Sequence, residues 1–269
     1  MPFIFRCKTN EAYRIKILAE LLSNNIKTGC FVVDEKGIYL RMMDHHRSIM
    51  IDLNLKADNF NLFKLEKESK LYLGINMAHF HRLAKSIKKK DIMELFIDEE
   101  APNDLGIKVI PKENNRVTTS YIKIQNVQNI DIDVPTGYSR PVIISSAEYQ
   151  KLVKEMNTLG NTMKVTATKF FIEFSCDTGG ILKRSVQFGE IDDSSKTDSK
   201  DLFCQEYVTE QLCRITKLAG FSNDIQIFTG KPLLFSSNVG SLGKISIFIK
   251  SKDQIENEIH KHLEDSDSD

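Results

Sequence analysis

The chain has 269 residues, 41% of them hydrophobic and 9% aromatic with no Trp, and 37 Lys+Arg balance 37 Asp+Glu to a formal net charge of zero. This composition excludes a disordered chain, and no apolar run approaches the roughly 20 residues that span a bilayer. Neutrality excludes a generally basic nucleic-acid coat, so positive charge serving such a partner has to be localised.

The N-terminal stretch MPFIFRCKTNE lacks the apolar core and cleavage site of a signal peptide, and there is no N-x-S/T sequon. A first helix is expected near 10–24, with Lys16 opposite an apolar stripe and Glu20 and Ser23 beside it. The runs CFVVDEKGIYLRMM and SIMIDLNL then alternate as strands with one buried face do. A second helix is expected over 76–90. At 100° per residue Phe80, Leu83 and Ile87 share one face, and Arg82, Lys85 and Lys89 lie opposite. MELFID and RVTTSYIKIQNV (116–127) read as strands, and residues 129–141, NIDIDVPTGYSRP, carry the prolines and glycine of a connector.

The second half begins with a helix near 146–159, in which Tyr149, Leu152, Val153 and Met156 oppose Lys151, Lys154 and Thr158. MKVTATKFFIEFSC and ILKRSVQF (181–188) read as strands. A fourth helix near 207–219 sets Leu212, Ile215 and Ala219 against Arg214 and Lys217, with Glu210 on the polar side. DIQIFTG and KISIFIK follow as strands, and the acidic tail 253–269 is expected to be disordered. The halves form a weak repeat: Arg82-x-x-Lys85 before Asp91-Ile92 matches Arg214-x-x-Lys217 before Asp224-Ile225, and EAYRIKILAEL matches AEYQKLVKEM.

All four helices therefore turn a basic side outward. Ordinary surface helices mix signs, whereas the acids here collect in DEEAPND, EIDDSSKTDSKD and LEDSDSD. Charge segregated in this way points to an anion-facing surface. Catalytic and metal signatures are missing. TGKP at 229–232 has Pro where a phosphate loop needs Ser or Thr. His79 and His81 diverge on a helix, and the adjacent His45 and His46 are poorly placed to chelate. The five cysteines, Cys7, Cys30, Cys176, Cys204 and Cys213, form no C-x-x-C and read as reduced thiols. No cofactor, metal, catalytic residue or membrane partner is expected, and the chain does not read as an enzyme.

GIYLRMMDHHRSIMIDLNL (37–55), LGINMAHFHRLAKSI (73–87), IDVPTGYSRPV (132–142) and KPLLFSSNVGSLGKISIFI (231–249) together resemble the DNA sliding clamp family of the proliferating cell nuclear antigen type. PTGYSRP and DTGG…RSVQFGE give the likeness a divergent character, similar to clamps of large DNA viruses. The resemblance implies an α+β fold of two similar clamp domains, 1–128 and 142–252, each with two helices packed on antiparallel sheets, joined by the connector 129–141. It implies a closed homotrimeric ring acting as a polymerase processivity factor. Its location would be the nucleus, or a cytoplasmic viral replication site.

By the same resemblance, double-stranded DNA would be held by Lys16, Arg82, Lys85, Lys89, Lys151, Lys154, Arg214 and Lys217. Glu210 and Ser23 stand where relatives usually carry a base. DNA polymerase and other replication or repair proteins would dock short motifs at Met43, Arg47, Met50, Ile130, Ile132, Val134, Pro232 and Phe248. There Arg47 replaces a usual His, and Lys250-Ser251 a usual Ala-Pro. The subunit interface would join the edge strands through Tyr121 and Lys123 on one side and Leu182, Arg184 and Val186 on the other. A clamp loader is the further implied partner. A subunit of a heterotrimeric checkpoint-type ring and a monomeric clamp-fold factor are the alternatives.

Overall fold

The structure, a computed structural model, describes residues 2–66, 70–113, 116–168, 170–189 and 202–266, with residues 261–266 described by their backbone alone. The acidic stretch 190–201 and the last residues 267–269 lie outside the described residues.

The N-terminal half runs β1 (Phe3–Thr9), α1 (Ala12–Ser23), β2 (Thr28–Asp34), β3 (Gly37–Met43), β4 (Ile49–Lys56), β5 (Leu62–Leu65), β6 (Leu71–Asn76), α2 (Met77–Ala84), β7 (Ile92–Asp98), β8 (Asp104–Ile110) and β9 (Thr118–Lys123). The C-terminal half runs β10 (Val142–Ser145), α3 (Ser146–Asn157), β11 (Thr162–Ala167), β12 (Phe171–Asp177), β13 (Lys183–Gly189), β14 (Phe203–Val208), α4 (Thr209–Arg214), a 3-10 turn (Thr216–Gly220), β15 (Asp224–Phe228), β16 (Leu233–Val239) and β17 (Gly243–Ile249), and ends in α5 (Lys252–Ser266).

The repeat seen in the sequence is a repeat of topology. One sheet of each half is ordered β1-β7-β8-β9 and β10-β15-β16-β17, and the other β6-β2-β3-β4 and β14-β11-β12-β13. β5 pairs with the outer side of β1 and has no counterpart among the described residues of the second half. The halves join by strand pairing: β17 lies antiparallel to β4, from Gly243↔Leu55 to Ile249↔Ile49, which fuses two four-stranded sheets into one of eight. By the repeat, β17 corresponds to β9 and β4 to β13. Among the described residues both β9 and β13 end their sheets with one side unpaired, as expected for 116–127 and 181–188.

The helices form a layer on one face of the sheets. α1 packs on α2 and on the 3-10 turn Thr216–Gly220, which packs on α3. Tyr149 of α3 is fully buried, lies against Phe235 at 5.5 Å between ring centroids, and donates its hydroxyl to Leu212 O of α4 at 3.2 Å. Two helices are shorter than the periodicity suggests. α2 starts where the Asn76 side chain accepts from His79 N at 3.0 Å. It stops at Ala84 because Lys16 Nζ takes the carbonyls of Lys85 (2.7 Å) and Ile87 (3.0 Å), replacing the next helical turn as their partner. The fourth helix spans Thr209–Arg214 before tightening into the 3-10 turn.

The tail corrects an expectation. Lys252–Ser266 is helical, not disordered. Ser251 and Gln254 form a reciprocal capping box, with Gln254 N donating to Ser251 Oγ at 3.3 Å and Ser251 N donating to Gln254 Oε1 at 3.1 Å. α5 then lies along β14, the other open edge of its sheet. Covering an edge strand with a helix is one of the ways a fold protects unpaired backbone.

Candidate functional site

The outward side of the helix layer sorts the predicted cations into three groups. Arg82, Lys85, Lys151 and Lys154 are exposed and make no ion pair among the described residues. Lys16 and Lys217 are engaged but accessible. Lys16 caps α2 and sits 5.6 Å from the Tyr13 ring, and Lys217 pairs with Glu20 at 2.8 Å while 44% of its side chain stays exposed. Arg214 belongs to neither group. Its Nη2 lies 3.0 Å from Oδ2 of Asp44, a side chain with no exposure, so the guanidinium ties α4 to the β3–β4 turn of the other half.

Lys89 lies beyond the end of α2, which closes at Ala84. It stands in the loop after α2, 6.0 Å from the Tyr13 ring, and forms one wall of an open cleft of about 550 Å³ with Lys88, Lys90, Lys112 and Arg116. The Lys88 backbone is fixed there by Asp91 Oδ2 at 2.8 Å. Of the two non-basic departures, Glu210 is exposed on α4, and Ser23 Oγ donates to Glu20 O at 2.9 Å and lies 3.3 Å from His81 Nδ1. Partial burial, first, and the nearby Lys85, Lys217 and Lys16 hold the His81 imidazole below the ordinary histidine range, with Glu20 acting in the opposite sense.

The opposite face of the eight-stranded sheet carries the groove. Ile49, Ile51, Leu233, Phe235, Ile247 and Ile249 belong to the main core with the helices. Side chains alternate along a strand, so Met50, Leu234 and Phe248 point the other way, and the register Met50↔Phe248↔Leu234 sets them in one row. Met43, Ile132, Val134, Tyr138 and Phe228 pack onto that row as a second, separate apolar cluster. Five of the eight predicted groove residues (Met43, Met50, Ile132, Val134 and Phe248) thus meet. Phe248 and Met50 are only 3% and 5% exposed, so they form the floor and the connector forms the roof.

The remaining three lie at the sides. Pro232 accepts the Tyr138 hydroxyl at its carbonyl at 2.7 Å. Ile130, 66% exposed, lines the mouth with Arg47. Arg47 sits at φ 54, in the left-handed region, because Asp44 closes the turn by accepting Ser48 N at 2.8 Å and Ile49 N at 2.9 Å. Tyr138, Leu234 and Phe228 are groove residues that sequence reasoning passed over. Burial pushes the Tyr138 phenol up to about 12, and its ring meets Phe228 at 6.2 Å and Phe248 at 6.0 Å. The signal available for Leu234 was LLF, a strand apolar on both faces.

At the sheet ends, Tyr121 is 57% exposed on β9 and rests edge-on against Phe96 at 6.0 Å, across Gly106. Lys123 pairs with Asp104 at 2.8 Å. On the far side Arg184 Nη2 reaches Glu155 of α3 at 3.2 Å, Val186 is half-buried in β13, and Leu182 lies in the turn before that strand. No helix among the described residues is long and apolar enough to cross a membrane.

Comparison with known proteins gives one answer throughout. The sequence pattern of the proliferating cell nuclear antigen N-terminal domain matches residues 4–135, and that of the C-terminal domain matches residues 133–252. An uncharacterized protein, 436R, of Invertebrate iridescent virus 6 is 25% identical over 252 residues, covering 86% of this chain and 82% of its own. A DNA polymerase sliding clamp of Nitrosopumilus maritimus is 25% identical over 254 residues, covering 91% and 97%. The crystal structure of the proliferating cell nuclear antigen of Entamoeba histolytica superposes with a TM-score of 0.79 at 18% identity, covering 93% of this chain and 100% of that one. With two clamp domains fused through β17 and β4, helices on one face and a connector groove on the other, this chain belongs to the proliferating cell nuclear antigen family of sliding clamps.

Proposed function

We propose that three copies of the chain close into a ring around duplex DNA and act as a processivity scaffold, not as a catalyst. The observation that carries this reading is the equivalence of the joins. Within the chain, β17 pairs with β4, and the strands equivalent to these two, β9 and β13, each have one side without a partner strand among the described residues. Pairing β9 of one copy with β13 of the next repeats the same join head to tail, the kind of interface that closes into a ring. Tyr121 and Lys123 would then face Leu182, Arg184 and Val186. The number three comes from the family.

The helix layer would line the hole. Arg82, Lys85, Lys151 and Lys154 are the first cations to meet phosphate, with Lys89 beside them; Lys217 can join by exchanging its exposed partner Glu20 at little cost, and Lys16 adds its charge while it holds the α2 carbonyls. Arg214 takes no part. Contacts of this kind read no sequence and leave the duplex free to slide. The groove on the opposite face would receive short segments of DNA polymerase and other replication or repair proteins while DNA occupies the hole. A clamp loader would open the ring, and the setting would be a nucleus or a viral replication site.

Light scattering on the purified chain tests closure, with a mass three times that of one chain expected. A monomer at micromolar concentration, or assembly only with a different chain, overturns it. Alanine at Arg82, Lys85, Lys151 and Lys154 is expected to flatten the slope of log K against log salt by about 0.9 for each phosphate that the ring no longer neutralises. An unchanged slope in an intact ring would show that the helices do not face DNA.

A further inference from the structure

The family match ends at residue 252, where α5 begins, so this helix lies outside the matched domains. It is held at its start by the Ser251–Gln254 capping box and by Lys252 Nζ at 3.7 Å from Glu206 of β14. Farther along, Glu258 Oε2 takes Lys250 Nζ at 2.6 Å. That pair stands on the rim of the connector groove, where Lys250 and Glu258 join Met43, Arg47, Ile130 and Ile132 in lining one opening.

The cations around this opening differ in how firmly they are held. Arg41 is fixed twice, by Asp52 at 2.9 Å and by the Ile132 carbonyl at 3.2 Å. Arg47 has no ion pair among the described residues. Lys250 is anchored through its backbone, N to Ser48 O at 2.9 Å, with its side chain 17% exposed. Its carboxylate partner among the described residues is Glu258, 49% exposed on a terminal helix. Glu258 can therefore swing into water by rotating its own side chain, whereas Lys250 stays. Once released, Lys250 and Arg47 present two positive charges beside an apolar mouth.

We propose that Glu258 is a resident carboxylate on the docking groove. The groove then takes a peptide that combines an apolar anchor, seated against Met43, Ile130 and Ile132, with an acidic side chain that replaces Glu258 on Lys250. Such a peptide restores the ion pair that it breaks. A neutral peptide leaves Glu258 in place and gains from its anchor alone. A basic peptide meets Arg47 and Lys250 at like charge. This inference rests on the groove being the partner site.

The test uses the full chain and three fluorescein-labelled peptides that share a Leu-Phe anchor and differ only in carrying Glu, Gln or Lys beside it. Wild type is expected to bind them in the order Glu, Gln, Lys. Glu258→Gln, an isosteric change compatible with the helix, is expected to tighten the acidic peptide about three- to tenfold and to move the neutral one less than twofold. Lys250→Met is expected to erase the difference between acidic and neutral peptides. A preference for the Lys peptide, or an acidic-to-neutral ratio unmoved by Glu258→Gln, overturns the proposal. Ile132→Ala separates the two levels. If the neutral peptide binds, Ile132→Ala weakens it, and the ratio is unmoved, only the role of Glu258 falls. If no peptide binds, or Ile132→Ala binds like wild type, the groove reading fails and this inference fails with it.

Discussion

Replacing Arg214 by Ala separates a structural cation from a DNA-facing one. The substitution leaves Asp44 buried with no exposed side-chain surface and no counter-charge. Asp44 keeps the N–H groups of Ser48 at 2.8 Å and Ile49 at 2.9 Å, but those dipoles do not neutralise it. Removing one partner of a buried ion pair costs about 3–5 kcal/mol. The lower end applies here, because Arg214 is 17% exposed and its buried Nε finds no hydrogen-bond partner among the described residues. At roughly 2–4 °C per kcal/mol for a chain of this size, a loss of about 3 kcal/mol lowers Tm by about 6–12 °C. Asp44→Asn keeps the two N–H bonds and leaves a partly exposed guanidinium, so it costs less. The double variant is expected to recover at least about 1 kcal/mol relative to the sum of the singles, since the residues touch. Calorimetry on the three variants measures this, with DNA affinity followed against salt in parallel. Arg214→Ala should lower Tm and leave the salt slope unchanged. An unaltered Tm together with a flatter slope would refute the assignment and return Arg214 to the DNA surface.

Three further outcomes follow from local geometry. Arg47→Gly removes a side chain held at φ 54, where a non-glycine residue costs about 1–2 kcal/mol, partly offset by the greater freedom of Gly in the unfolded chain. Tm should hold or rise slightly while peptide affinity at the groove falls, and a clear drop in Tm would contradict a strained Arg47. Tyr138→Phe loses only the hydroxyl bond to the Pro232 carbonyl, about 0.5–1.5 kcal/mol, whereas Tyr138→Ala also uncovers Phe248 and Phe228. Amide exchange in residues 129–141 should accelerate modestly in the first and strongly in the second, and equal rates would mean that the ring does not hold the connector. His81 is held below its ordinary pKa, so the folded chain binds fewer protons there than the unfolded one. That contribution is complete above the unfolded value near 6.5 and is lost as pH falls through the lower folded value. His81→Gln should make stability less sensitive to acidification below about pH 6.5, and an identical pH dependence would rule the residue out as its source.

Much of this architecture is determined within short stretches of the chain. Alternation in SIMIDLNL and KISIFIK marks β4 and β17. The 100° geometry sets Lys151 and Lys154 opposite Tyr149, Leu152, Val153 and Met156, and all four apolar side chains are buried. The repeat of Arg-x-x-Lys before Asp-Ile reports the doubled topology, because each half solves the same packing problem with the same order of elements. Even α5 carries local signals in Ser251…Gln254 and in Ile255 with Ile259, although an acidic composition masks them.

What no local pattern supplies is the state of each charge. Arg82 and Arg214 occupy matching places in the repeat, yet one is exposed and the other is spent on Asp44. The difference arises because β17 pairs with β4 and so brings the β3–β4 turn of one half to the helix end of the other. Lys16 looks like any outward lysine until the C-terminus of α2 arrives beneath it. The groove has the same origin: Met50, Leu234 and Phe248 read as ordinary strand residues, and only the register across three strands and the return of Tyr138 gather them into one cluster. Periodicity fixes which way a side chain faces relative to its own backbone. What waits on the other side is decided by contacts between segments far apart in the chain, because packing and charge pairing act through space.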